Sequence, residues 1–137
     1  MGCGKGRVLL IGAEFGFEEA RGVEFARELC EVARKNIAHF SQKRLTTKFT
    51  IIEADAATYE VSPEENIFIM CNPFDGVIVN AVLDNIVRSL RTSRRRVLVI
   101  YCNPTAQAVL EARQDFVKIA QVPFPGYNFA IFSNCSD

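Results

Sequence analysis

The first residues that could do chemistry are Gly2-Cys3-Gly4-Lys5-Gly6-Arg7, a loop in which glycine alternates with other types. Glu24 stands eighteen residues beyond Gly6, inside the short strand-like run Gly22-Val23-Glu24-Phe25. Glycines at this spacing let a backbone approach a ligand closely, and an acid at a strand tip accepts hydrogen bonds from ribose hydroxyls. That is the layout of a nucleotide-binding α/β crossover. A second acid, Asp55, followed by Ala56, ends the run Phe49-Thr50-Ile51-Ile52-Glu53-Ala54. A third polar element, Asn72-Pro73-Phe74, follows the continuous apolar run Ile67 to Cys71. Each feature alone has an ordinary reading: a flexible leader, a solvated charge, a helix cap. Together they line polar groups along the carboxyl edge of a parallel sheet, where such folds bind ligands.

The elements that must hold these residues follow from apolar spacing. Val8 to Ile11 reads either as a buried strand or as the first helix after the glycine loop, and periodicity does not decide for so short a run. Distance to the acid does. If Gly12 and Gly16 made the loop, the acid about twenty residues on would fall near Glu31 or Val32, inside an obvious helix. If Gly2–Gly6 is the loop, the acid is Glu24 at a strand end, and Gly12 costs the helix about 1 kcal/mol relative to alanine. The second register is the one adopted. Residues 26–40 then carry Leu29, Val32, Ala33, Ile37 and Phe40 at helical steps with charges opposite, an amphipathic helix.

Residues 67–71 and 97–101 are continuous apolar runs, the mark of strands buried on both faces. Gly76 to Leu90 has helical spacing between them, and a short helix is expected over 105–113. Strands over 116–122 and 127–132 are joined by Pro123-Phe124-Pro125-Gly126, which suits a hairpin with a longer loop. Strands alternating with helices predict one α/β domain over residues 1–137, its sheet mainly parallel with helices on both faces.

With 137 residues, 49% hydrophobic and 23% charged, the chain is long enough for one buried core. Sixteen basic and sixteen acidic residues cancel, so no net field attracts nucleic acid or an anionic membrane. The basic run Arg91 to Arg96 reads as a solvated helix-to-strand turn. No apolar run approaches a bilayer span. The cysteines Cys3, Cys30, Cys71, Cys102 and Cys135 are widely scattered with no ligand spacing for zinc. Free thiols suit a reducing, cytoplasmic setting. Cys71 and Cys102 end buried strands; with no base or orienting partner in view they read as core thiols.

This order of features resembles the class I S-adenosylmethionine-dependent methyltransferases along the whole chain. The resemblance implies a Rossmann-like sheet closed by an antiparallel hairpin. It makes Gly2, Cys3, Gly4 and Gly6 the cofactor loop, Glu24 the ribose acid with Phe25 flanking the adenine, and Asp55 with Ala56 the readers of the adenine edge. Asn72, Pro73 and Phe74 lie where some members carry an Asn-Pro-Pro-aromatic element, and become the expected catalytic residues. The chain departs from the family in two places. The acid expected two residues before the first glycine would precede Met1, so the first central strand is expected to be missing. The second proline of the longer element is also absent.

The expected function is methyl transfer from S-adenosylmethionine to an unidentified acceptor, with no metal and with oligomerisation through exposed sheet edges. Two rivals stand beside it: a truncated, inactive cofactor-binding module, and a nucleotide-dependent oxidoreductase using the same glycine loop.

Overall fold

A computed structural model describes residues 1–40, 46–71 and 74–134. They fall into two compact units, Met1–Ala56 and Ala57–Asp137.

In the first unit the glycine loop leads into α1 (Arg7–Glu14), so the early apolar run is a helix, as its distance from Glu24 requires. Gly16, at φ 79°, takes the left-handed conformation just beyond its end, a common way to stop a helix. The glycine inside α1 has a reason as well. A Cβ on Gly12 would lie 2.9 Å from the Phe17 ring, so the position trades helix propensity for close packing. Strand β1 (Glu19–Glu24) and helix α2 (Arg27–Phe40) follow, then β2 (Lys48–Glu53). The two strands pair in parallel from Glu19↔Lys48 to Glu24↔Glu53, which sets Glu24 at the carboxyl tip. Leu9, Ala13, Ala20, Val23, Cys30, Ala33 and Ala56 are the buried apolar residues of this unit.

The second unit runs β3 (Ile67–Cys71), α3 (Gly76–Thr92), β4 (Leu98–Cys102), α4 (Gln107–Glu111), β5 (Val117–Phe124) and β6 (Tyr127–Ser133). Its four strands lie in the order β3-β4-β6-β5. β3 and β4 are parallel, while β6 runs antiparallel to both β4 and β5. Alternation along the strands puts Phe68, Val99 and Phe132 in one row and Met70, Tyr101 and Ala130 in the next, all on one face. Every one of them is at most 4% exposed. Val79, Val82, Leu83 and Ile86 of α3, spaced at three and four residues, are fully buried. Asp75 starts α3 by accepting from the Val77 and Ile78 amides at 3.0 Å each.

The hairpin differs from expectation at its tip. Phe124 pairs with Tyr127, so Pro123 and Phe124 belong to β5 and the turn is only Pro125-Gly126. Gly126 adopts φ 80°, a conformation open to glycine, which lets so short a link reverse the chain. The pairings thus combine two parallel pairs with two antiparallel ones, both made by the C-terminal β6, a mixed α/β fold. No helix among the described residues is long and apolar enough to cross a membrane.

Candidate cofactor site

All of the expected cofactor residues fall in the first unit, and most of them meet. Gly2, Gly4 and Gly6 adopt φ 63°, 52° and 84°. L-residues pay a steric penalty there, so alternating glycine is what the loop's path requires. The Cys3 amide donates to the Val23 carbonyl at 3.0 Å, which lays the loop against β1. The Gly6 amide closes a turn on the Cys3 carbonyl at 2.9 Å, and the Gly6 carbonyl then accepts from the Leu9 and Leu10 amides to begin α1. A Cβ on Gly6 would come within 3.3 Å of Ala33, whereas one on Gly4 would meet nothing within 4 Å. The loop is therefore packed against α2 at one glycine and open at another.

Glu24 ties this loop to the end of β1. Its Oε2 accepts from the Gly4 amide at 2.9 Å and its Oε1 from the Ala26 amide at 3.0 Å. An ionised carboxylate has about four acceptor positions, so two amides leave capacity for further donors. Phe25, next in sequence, is 79% exposed, a large apolar ring with little of its surface packed. The Glu24 carbonyl is also used, by the Ala54 amide of the chain leaving β2 at 3.0 Å and by the Cys30 thiol at 3.4 Å.

Asp55 lies two residues past β2, exposed, and Ala56 is buried at the start of a turn. The parallel register therefore brings the second acid to the same strand edge as the first. Burial is the main reason the Cys3 thiol is pushed up to about 11, with the charge of Glu24 adding to it against the opposing N-terminal ammonium. At neutral pH it is a neutral thiol, suited to packing rather than nucleophilic attack.

Of the expected catalytic residues, Asn72 and Pro73 lie outside the described residues. Phe74 is half-buried and directly precedes the Asp75 cap of α3. Two participants were not legible in the sequence reading. The Ala26 amide completes the Glu24 clamp, and Asn36 of α2 donates to the Lys5 carbonyl at 2.9 Å. Asn36 is one of several exposed polar residues on α2, and Arg34 likewise reaches a backbone carbonyl, that of Ile51 at 3.2 Å, so nothing in its spacing marks it. Apart from this site, in the second unit, Asn103 at the end of β4 adopts φ 49° and its Oδ1 accepts from the Asn128 amide at 2.9 Å. Asparagine is among the few residues that tolerate this region, and Asn103-Pro104 is the signal that could have found it.

The comparisons with solved structures agree with this architecture. An RNA methyltransferase from Salinibacter ruber, solved with S-adenosyl-L-homocysteine, matches with a TM-score of 0.69 at 17% identity, over 99% of this chain and 78% of that one. The Escherichia coli protein yhhF, a methyltransferase by assignment, gives 0.69 at 12% identity, over 98% and 75%. A structure from echinomycin biosynthesis, concerned with converting a disulfide bond into a thioacetal group, gives 0.66 at 13% identity, over 96% and 73%. No family model matches the chain, and no curated protein does. The chain has the fold of the S-adenosylmethionine-dependent methyltransferases.

Proposed function

We propose that the protein is a methyltransferase that uses S-adenosylmethionine. The observation that carries this reading is the Glu24 carboxylate at the tip of β1, held by the Gly4 and Ala26 amides at 2.9 and 3.0 Å. The residues present fit the cofactor. Glu24 keeps acceptor capacity for ribose hydroxyls, Gly4 faces open space, and Phe25 offers an exposed ring for the adenine. Asp55 and the Ala56 amide would read the adenine edge. Gly6 offers α1 no side-chain cap, so the positive end of the helix favours an anionic group beside the loop.

When bound, S-adenosylmethionine supplies an electrophilic methyl group on a sulfonium, so the protein needs no covalent catalyst of its own. The chain's task is to hold the acceptor in line with that methyl and exclude water. Asn72, or the backbone from Cys71 to Pro73, would accept the hydrogen bond of the incoming nucleophile, and Phe74 would wall the acceptor. The acceptor gives up its proton as the new bond to carbon forms.

Calorimetric titration with S-adenosylmethionine, and with NAD as control, tests the reading. Saturable binding of the sulfonium compound alone is the expected result, weakened at least tenfold by Glu24→Gln. Binding of NAD in its place would overturn it in favour of the oxidoreductase. Asn72→Ala should lower turnover more than cofactor affinity; equal losses would move Asn72 into the cofactor site.

A further inference from the structure

Cys71 does not behave as the core thiol its strand suggests. It is exposed at the end of β3, while Cys102, at the end of β4, is 4% exposed. The two are direct partners in the parallel register, the last pair of the ladder, and their side chains leave the same face of the sheet. Neighbouring strands are about 4.8 Å apart, inside the span of about 4.4–6.8 Å that Cα atoms keep across a disulfide. Burial, and after it the adjacent Cys71 sulfur, raises the Cys102 thiol above its ordinary value.

The other described cysteines are placed differently. Cys30 is fully buried and donates to the Glu24 carbonyl, and Cys3 is half-buried against the glycine loop. An exposed thiol beside a buried one within bonding reach is the arrangement of an oxidisable cysteine with its resolving partner.

We infer that Cys71 and Cys102 form an oxidation-sensitive dithiol, in which a hydroperoxide oxidises Cys71 and Cys102 then closes an intramolecular disulfide across the ends of β3 and β4. In the first step the Cys71 thiolate attacks the peroxide, the O–O bond breaks and an S–O bond forms. Cys71 becomes a sulfenic acid, and an alcohol leaves (water, for hydrogen peroxide). In the second step the Cys102 sulfur attacks the sulfenic sulfur, the S–S bond forms and the S–O bond breaks. The departing hydroxide takes the Cys102 proton and leaves as water. Two thiols have lost two electrons and the peroxide has gained them. Nothing in this sequence depends on cofactor binding, so the inference stands or falls apart from the proposed methyl transfer.

The test is thiol mapping on the full wild-type chain. The protein is treated with hydrogen peroxide, remaining thiols are blocked with iodoacetamide, and peptides are weighed with and without dithiothreitol. The expected result is joint protection of Cys71 and Cys102, in a cross-linked peptide pair about 2 Da lighter than its reduced halves, restored by dithiothreitol. In Cys102→Ser, Cys71 should instead be trapped by dimedone as the sulfenic acid. Alkylation of both residues after oxidation would overturn the inference. A Cys71 disulfide to Cys3, Cys30, Cys135 or a second chain would do the same. The wild-type map decides even if the variant does not fold.

Discussion

The units Met1–Ala56 and Ala57–Asp137 share an alternation of strands and helices, yet they are held together by different means. The second buries large side chains completely: Tyr101, Phe132, Met70, Leu83, Ile86 and Leu110 lead its core. The first buries mostly small ones, with Leu9 and Val23 beside Ala13, Ala20, Cys30 and Ala33. Its order comes instead from backbone geometry, in the three left-handed glycines of its loop and a carboxylate clamped on two amides. Apolar burial stabilises by area, about 25 cal/mol per Å², so the second unit is the reservoir of stability. The first carries the residues expected to touch the cofactor. Candidate binding function sits where the packing is lightest, as is common for parts that must admit a partner.

That contrast can be broken by mutation. Phe132→Ala removes the largest fully buried hydrocarbon of the β6 row and should cost about 3–5 kcal/mol, read as a fall in the urea midpoint with faster amide exchange in β3, β4 and β6. A loss under about 1 kcal/mol would show that the row is not the core. Gly22→Ala probes the lighter unit by the opposite means. Its Cβ would lie 2.7 Å from the Cys3 sulfur and 2.8 Å from Leu9 Cδ1, where the loop presses on β1. Overpacking of this kind costs about 1–3 kcal/mol, and exchange at Cys3 and along β1 should quicken first. Unchanged exchange there would mean that the loop is not pressed against the strand.

Smaller effects sharpen the comparison. Asp75→Ala deletes two cap bonds of 3.0 Å and should cost about 1 kcal/mol, visible as a lower thermal midpoint. Tyr101→Phe should cost nothing or add up to about 1 kcal/mol. Its ring is fully buried while its hydroxyl finds no hydrogen-bond partner among the described residues. A clear loss would point to a bound water satisfying that hydroxyl.

Much of this was legible in the chain because the signals are local. Ile67 to Cys71 is a strand because a continuous apolar run suits burial, and its bounds match the observed strand residue for residue. The spacing from Gly6 to Glu24 chose α1 over a first strand and set the acid at the tip of β1. Where the reading failed, the cause was non-local. Cys71 looked like its apolar neighbours but ends the ladder exposed. Arg95 looked like one cation of a solvated run. In the structure its guanidinium is spent on the Glu65, Ser62 and Ser93 carbonyls and the Ser89 hydroxyl, at 2.7 to 3.1 Å.

By itself, then, the sequence determined the element order, the glycine loop and the acids at two strand tips, because periodicity, glycine conformation and spacing act over a few residues. Tertiary structure alone decided which amides Glu24 would clamp and which strand would lie beside β3. It also decided that Cys71 and Cys102, thirty-one residues apart in the chain, would end as neighbours. Register between strands is fixed by burial of a whole face, and no short window of residues contains that information.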